Sequence, residues 1–366
     1  MKKMKIVKMK KINIMKIQNF KILVSGIMML FLASSCENQP IEFDDFETKA
    51  CYFPYQSPAR TIILGKYDEG FNDNDNKGQF QIGVKMTGVY ENDVNRKVYF
   101  ELDTAIMSNV ANIKYLPATH YSIITTSPVI IPKGHTEGRI TVQLTDAFFN
   151  DPKSVSTFFV YSVVPVCNYA IPLKITKTEG LDSILVGKPA VENPNRTVAA
   201  DWAIRPRDYT LYAIKYINKY HGNYLRRGAD KVLNSVTNAV IGTTVYRTKY
   251  VEQNDVVKAT TFDLNTILVP GVIRRVNITG GTELPLKFQF ATDGTCKIFN
   301  NTTSAEIGTG TFKDNGDKWG GKSRDVIYLD YSYIDALNNE KHEVKDTLVI
   351  RDRAVGFETH LPVLKP

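Results

Sequence analysis

Residues Gln79–Tyr90 read QFQIGVKMTGVY, and apolar and polar side chains alternate along this stretch with a period of two. Successive side chains of a β-strand point to opposite faces, so Phe80, Ile82, Val84 and Met86 would all lie on one face. The stretch therefore predicts a β-strand whose apolar face packs into a core.

Short strand-like segments continue on both sides of this stretch, from residue 50 to residue 178, and turn signals such as Pro132-Lys133-Gly134 separate them. About seven or eight short strands in a segment of this length predict an immunoglobulin-like β-sandwich over residues 50–178. The Cys…Trp…Cys pattern of antibody domains does not occur here. Residues 179–200 carry Gly, Pro and Asn without sustained periodicity, which predicts a linker.

The second half of the chain is again rich in strand-like segments. The segment DYTLYAIKYI at Asp208–Ile217 alternates in the same way, and similar segments follow it in meander fashion. About eight to ten strands here predict a closed antiparallel, lipocalin-like β-barrel over residues 201–366, because closure removes exposed sheet edges. The expected fold class is all-β throughout, with Asp208–Ile217 as the first barrel strand.

The N-terminus has the pattern of a targeting segment. Residues Phe20–Cys36 read FKILVSGIMMLFLASSC and contain an apolar run at Ile22–Ala33, and lysines crowd the residues before this run. The run is long enough for a signal-peptide core and short for a membrane span. Small residues lead directly into Cys36, which resembles a bacterial lipobox in which Cys36 would be acylated. We therefore expect a lipoprotein signal peptide at residues 1–35 and a polar tether at residues 36–49.

The charge of the chain changes when this segment is removed. The whole chain carries 46 basic and 38 acidic residues, a net charge of +8. Eight lysines and no acidic residue precede Cys36, so 38 basic residues remain against 38 acidic ones. A neutral mature chain does not favour a polyanionic partner, and we expect no binding of nucleic acid.

No metal or cofactor motif is evident in the sequence. Cys51, Cys167 and Cys296 allow one disulfide at most and have no CxxC or Cys/His spacing, so a zinc site is not predicted. The loop DEGFNDNDNKG at Asp68–Gly78 fits an EF-hand only in part, because Lys77 occupies a ligand position. An exposed hairpin loop is the expectation there, with an irregular calcium site as the alternative.

Three blocks carry a resemblance to a known family: YLPATHY at Tyr115–Tyr121, VIIPKGHTEGRITVQL at Val129–Leu144 and YAIPLKITKTEGLDSIL at Tyr169–Leu185. They resemble the N-terminal Ig-like domain of Bacteroidetes lipoproteins from glycan-utilisation loci, a domain that also precedes chitinase-like endo-β-N-acetylglucosaminidases. Residues Asp208–Gly228 and Trp319–Tyr333 resemble the β-barrel domain beside it.

This resemblance implies a function and a location. The expected protein is a non-catalytic, lipid-anchored glycan-binding protein at the cell surface, in the outer membrane. It would capture an oligosaccharide beside an outer-membrane glycan transporter complex. The association with endoglycosidases implies a mannose-rich N-glycan as the ligand. The first alternative is a structural or adhesin-like surface protein that binds another protein.

Catalytic motifs are missing from the sequence. It contains no GxSxG elbow, no HExxH pair and no DxxDxDxE series, and short antiparallel strands leave no room for an α/β barrel. We therefore expect no enzyme and no cofactor. A glycoside hydrolase stays open as a second alternative, because two carboxylates that are close in space need not be close in sequence.

Glycan binding calls for an aromatic ring that stacks on a sugar, with polar side chains that bond its hydroxyl groups. Trp319 lies in a glycine-rich polar loop and is the first candidate. Its predicted partners in that loop are Asn315, Asp317, Lys318, Arg324 and Asp325. Further candidates are Trp202, Tyr220, His221, Tyr224 and Arg226. The alternative for the tryptophans is a lid or plug of the barrel, and for the tyrosines it is ordinary packing.

Overall fold

The structure is a computed structural model, which describes residues 45–155, 167–269 and 284–365. Strands make up 52% of it and helices 8%, which confirms the predicted all-β fold class. The signal peptide, Cys36 and the tether up to residue 44 lie outside the described residues. In the part of the chain that is described, no helix is long and apolar enough to cross a membrane.

The first part of the chain forms short strands and two short helices. In chain order these are β1 (Ala50–Tyr52), β2 (Pro58–Ile63), α1 (Asp73–Asn76), β3 (Gln79–Thr87), β4 (Arg96–Leu102), β5 (Lys114–Tyr115), β6 (Tyr121–Ile123), β7 (Val129–Ile131), β8 (Glu137–Leu144), α2 (Asp146–Asn150), β9 (Tyr169–Glu179), β10 (Ser183–Ile184), β11 (Lys188–Pro189), β12 (Trp202–Ile204) and β13 (Tyr209–Ile217).

The second part of the chain has longer strands. These are β14 (Gly222–Asn234), β15 (Val240–Tyr246), β16 (Asp255–Thr261), β17 (Thr266–Val269), β18 (Leu286–Phe290), β19 (Thr295–Asn300), β20 (Glu306–Trp319), β21 (Lys322–Asp335), β22 (Glu340–Asp352) and β23 (Glu358–Thr359).

Two sheets pack into a sandwich in the first part. One has the order β10-β1-β3-β8-β6 and the other the order β23-β2-β13-β9-β4-β7. The four apolar side chains of β3, from Phe80 to Met86, are all buried in the core between them, as their alternation predicts. The thiols of Cys51, Cys167 and Cys296 are buried and free.

The boundary between the two halves differs from the predicted one. β13, the predicted first barrel strand, runs antiparallel to β9 and parallel to β2 in the sandwich. Both of its faces are buried: Ile214 and Tyr216 join the sandwich core, while Leu211 and Ala213 join a second cluster behind the sheet. Alternation predicts a strand but does not identify its neighbours, and a strand buried on both faces belongs at the centre of a sheet.

The predicted linker is also partly built into the sandwich. β10 pairs in parallel with β1 at the edge of the first sheet, and β11 pairs with β12 as a separate two-stranded sheet. Trp202 therefore lies beside the sandwich and not at the entrance of the barrel. Apart from Pro189, which lies in β11, the Gly, Pro and Asn residues of 179–200 lie in the segments that separate these short strands.

Eight antiparallel strands close into a barrel in the second part, as predicted. They follow the order β14-β16-β17-β18-β19-β20-β21-β22, and β22 returns to β14 along twelve paired residues. The second half of β14 pairs with β15 on the edge where its first half pairs with β16. The barrel interior is apolar around Phe288 and Ile298 and polar where β14, β21 and β22 meet.

The chain returns from the barrel to the sandwich at its C-terminal end. β23 pairs with the outer edge of β2. The guanidinium of Arg353, which follows β22, donates to the carbonyl oxygens of Leu64, Lys66, Asn218 and His221. These contacts place residues 359–362 against the sandwich.

Candidate functional site

Trp319 ends β20 and precedes a two-glycine turn, and its ring is already engaged within the protein. Its Nε1 donates to the carbonyl oxygen of Ile350 at 2.9 Å. The Arg324 guanidinium lies over one face of the ring, 4.1 Å from it, and the ring packs on a small cluster that contains Leu225 and Val349. Trp319 is therefore packed at the end of the hairpin, and the face of its ring that would stack on a sugar is covered by the Arg324 guanidinium.

The hairpin brings together the polar residues that the sequence grouped with Trp319, but most of them bond to one another or to the sandwich. Asn315 Oδ1 accepts from Lys66 Nζ at 2.9 Å, and the backbone N–H of Asn315 donates to the buried carboxylate of Asp325. Asp317 forms an ion pair with Arg227, and Lys318 is exposed. The bond from Lys66 to Asn315 and the ion pair between Arg324 and Asp68 join the barrel to the sandwich.

Three of the other predicted residues are core residues. Tyr220 stacks on Phe290 with a ring separation of 3.6 Å, and Tyr224 donates its hydroxyl to the carbonyl oxygen of Tyr220. Both side chains are about 2% exposed or less, so they offer no surface to a ligand. Arg226 is buried against Asp346, with its Nε 3.0 Å from the carboxylate. These three residues are removed from the candidate site because they are buried. The sequence alone could not tell whether their side chains point inward or outward.

His221 lies between the sandwich and the barrel. Its Nδ1 accepts from the Thr261 amide at 3.0 Å, and its side chain lines a cavity of about 60 Å³ together with the ion pair between Lys215 and Glu358. Burial lowers the pKa of His221 to about 3, and the charge of Arg353 adds to this effect. The neutral imidazole accepts a structural hydrogen bond in a space too small for a sugar ring.

Trp202 lines a cleft of about 440 Å³, which we call the Trp202 cleft. Its walls come from three separate segments, at residues 54–57, 196–209 and 359–362. The side chains that give it chemical character are Tyr55, Arg196, Trp202, Arg205, Tyr209 and His360. Aromatic rings with a few polar groups are typical of pockets that bind small molecules.

The wall that carries Trp202 is fixed by a network of hydrogen bonds. Trp202 Nε1 donates to the carbonyl oxygen of Asn195 at 2.8 Å. Arg196 forms a two-pronged ion pair with the buried Asp208, and this hydrogen bonding raises the pKa of Arg196. The hydroxyl of Tyr209 donates to the carbonyl oxygen of Arg196, and burial raises the pKa of Tyr209 to about 12. The loop is therefore held in place before any ligand arrives.

Three side chains in the cleft keep unused binding capacity. Tyr55 is 56% exposed, so its ring can be contacted from solvent. Arg205 is exposed and makes no hydrogen bond or ion pair with the described residues. His360 is 6% exposed, and its enclosed Nε2 has no hydrogen-bond partner in the described part of the chain. Burial lowers the pKa of His360, which favours the neutral ring.

A second cleft of about 310 Å³ adjoins the first, and Pro54 and Tyr55 line both. Tyr55 lies 5.4 Å from the ring of Phe357, which is 73% exposed. Arg60, Lys85, Glu137 and Tyr212 also line this second cleft. Tyr55 thus stands between two neighbouring clefts, each with aromatic and charged side chains.

Sequence reasoning identified Trp202 but missed Tyr55, Arg196, Arg205 and His360. Tyr55 lies in the strand-like segment CYFPYQ at Cys51–Gln56, and His360 follows the last strand with no motif around it. These residues meet only because β13 and β23 both pair with β2. No sequence pattern within any one of these segments predicts the cleft.

Two family models match the chain. Residues 219–354 match a domain of unknown function, DUF5627, which covers the barrel. Residues 46–182 match a family described as an N-terminal domain, which covers most of the sandwich. A search of the curated proteins finds no match.

Solved structures from Bacteroides are similar to the chain. A Bacteroides ovatus protein of unknown function is 35% identical, with a TM-score of 0.77, and the match covers 88% of this chain and 100% of that one. An auxiliary nutrient binding protein from Bacteroides thetaiotaomicron is 15% identical, with a TM-score of 0.35, over 82% of this chain and 95% of that one. Because this match is 35% identical and covers the whole of the Bacteroides ovatus protein, the chain belongs to the same family as that protein.

Proposed function

We propose that this protein is a non-catalytic, lipid-anchored binding protein that captures an oligosaccharide in the Trp202 cleft. The observation that carries the proposal is the composition of the cleft. It combines the exposed ring of Tyr55 and the ring of Trp202 with the guanidinium of Arg205, which is exposed and bonds to none of the described residues.

These groups suit the two kinds of surface that a sugar presents. Tyr55 and Trp202 supply flat apolar rings for the C–H face of a pyranose. The guanidinium of Arg205 supplies donors for hydroxyl oxygens, while the buried His360 forms part of the cleft wall. Aromatic rings beside a few hydrogen-bonding side chains are typical of a pocket for a polar small molecule such as a sugar.

The neighbouring cleft supports a ligand longer than one sugar unit. Tyr55 lines both clefts, so a chain that stacks on Tyr55 reaches Trp202 on one side and Phe357 on the other. Mannose-rich N-glycans are the first class to test, alongside other oligosaccharides.

Calorimetric titration of the purified protein against a glycan panel tests this proposal. We expect Tyr55→Ala and Arg205→Gln each to weaken binding at least about tenfold, which corresponds to about 1.4 kcal/mol. Tyr250→Ala is the matched control, because Tyr250 is similarly exposed, at 49%, but lies outside the cleft. Its affinity should equal that of the unmodified protein.

Two results would overturn the proposal. The absence of binding to every glycan in the panel would remove the function. Binding that Tyr55→Ala and Arg205→Gln leave unchanged would remove the site. Release of reducing ends from the panel would instead indicate a glycoside hydrolase.

The anchor is a separate part of the proposal. Acylation of Cys36 would hold the protein in the outer membrane, beside the transporter that takes up the captured glycan. Protease shaving of intact cells, compared with a Cys36→Ala variant, checks both the anchor and the exposure at the cell surface.

A protein partner is the second candidate function, and one observation favours it. β15 pairs only with β14 among the described strands, and Val240, Ile241 and Val245 on it are each more than 50% exposed. An apolar edge strand of this kind is a typical surface for protein contact. Capture of a protein by β15 in a preparation that binds no glycan would favour this function.

A further inference from the structure

A compact group of carboxylates and one histidine lies at the end of the barrel away from the sandwich. Asp335 ends β21, and Glu340 and His342 begin β22 across the same hairpin. One ligand atom from each of these three residues lies within 4.8 Å of the others. Glu340 is 7% exposed and His342 is 2% exposed, so the group lies largely inside the barrel.

The spacing within the group suits a shared cation. His342 Nε2 lies 3.4 Å from Glu340 Oε2, yet this enclosed nitrogen makes no hydrogen bond within the described chain. Two ligands at about 2.1 Å from a tetrahedral zinc ion are themselves about 3.4 Å apart. The imidazole and the carboxylate therefore already have the separation of two ligands of one ion.

A fourth residue orients the histidine. His342 Nδ1 lies 2.8 Å from Asp230 Oδ2, and Asp230 is 1% exposed. Tyr333 stacks on the imidazole with a ring separation of 4.5 Å and a tilt of 10°. A carboxylate on one ring nitrogen and a metal on the other is the usual arrangement of a metal-bound histidine. Asp230 thus directs Nε2 at Glu340 and Asp335.

We propose that Asp335, Glu340 and His342 bind one divalent transition-metal ion, with Asp230 as the positioning residue for His342. The ligand set separates this class from the hard cations, because calcium and magnesium take oxygen ligands, whereas imidazole suits zinc and its neighbours. A divalent ion also brings two positive charges to three neighbouring carboxylates. Linear motif searches miss the site because its ligands do not follow a standard spacing. None of these four residues lines the Trp202 cleft.

Calorimetric titration with Zn²⁺ on the metal-stripped protein, freed of any histidine tag, tests the site. We expect about one Zn²⁺ per chain, with Ca²⁺ and Mg²⁺ in excess failing to displace it. Glu340→Gln and Asp335→Asn keep the side-chain shapes but remove a negative ligand, and each should weaken Zn²⁺ binding by at least about tenfold.

Glu343→Gln is the matched control, because Glu343 is on the same strand but faces outward, where it pairs with Lys341 and Lys231. Its affinity for Zn²⁺ should not change. Asp230→Asn should weaken Zn²⁺ binding and shift the visible spectrum of the Co²⁺ form, a readout that loss of stability alone does not move.

The proposal fails if the folded protein binds no Zn²⁺ in this titration. It also fails if Glu340→Gln and Glu343→Gln bind Zn²⁺ equally well, or if Ca²⁺ displaces Zn²⁺. Circular dichroism of each variant confirms that it is folded before its affinity is compared.

Discussion

At the scale of single residues, His221 shows how burial sets a charge state. Its pKa in the folded protein is lowered to about 3, whereas an unfolded histidine titrates near pH 6.5. The unfolded chain therefore binds a proton first as the pH falls. The contribution of His221 to stability is complete above about pH 6.5 and is lost as the pH drops from there toward 3, at up to about 1.4 kcal/mol per unit.

A single substitution isolates this contribution. Asparagine at position 221 can still accept the Thr261 hydrogen bond, but it cannot titrate. We expect the free energy of unfolding of His221→Asn, measured in urea at several pH values, to fall less steeply than that of the unmodified protein between pH 6 and pH 4. Parallel curves for the two proteins would show that His221 is not kept neutral by burial.

Among the β-strands, the strands themselves could be predicted better than the strands with which each one pairs. The alternation of β3 predicted both its extended form and its buried face, since a period of two is a property of one segment. The placement of β13 and β10 in the sandwich could not be predicted, because long-range packing determines which strands they pair with and no local pattern encodes it. The wrong boundary at residue 201 and the wrong exposure of Tyr220 and Tyr224 share this cause.

Close approach between strands gives a test at the same scale. A Cβ atom added to Gly308 in β20 would overlap the Asp330 carbonyl oxygen and the Tyr331 backbone of β21. We expect Gly308→Ala to lower the free energy of unfolding in urea by about 1–3 kcal/mol, because a packed barrel wall cannot accept the extra atom. Gly242→Ala in β15 is the control, since a Cβ there meets nothing within 4 Å, and equal losses in both variants would contradict the argument.

At the scale of the whole molecule, both candidate sites are products of chain topology. The Trp202 cleft combines residues from near both ends of the described chain, and β2 joins them through its pairing with β13 and β23. The metal-binding group depends on barrel closure, because Asp230 reaches His342 only where β22 pairs with β14. A reading of the sequence could predict the two architectures, but it could not predict which distant residues they bring together.

Arg353 is the residue whose loss should separate the two halves. It is 6% exposed, and its guanidinium donates to two carbonyl oxygens that follow β2 and to two in the connection between β13 and β14. Arg353→Met would leave these acceptors without their donor, which costs about 2–4 kcal/mol. Because the same bonds join barrel to sandwich, we expect calorimetric unfolding to change from one transition to two. Arg351→Met, two residues away and 50% exposed, should keep one transition, and a single unshifted transition in Arg353→Met would show that other contacts couple the halves.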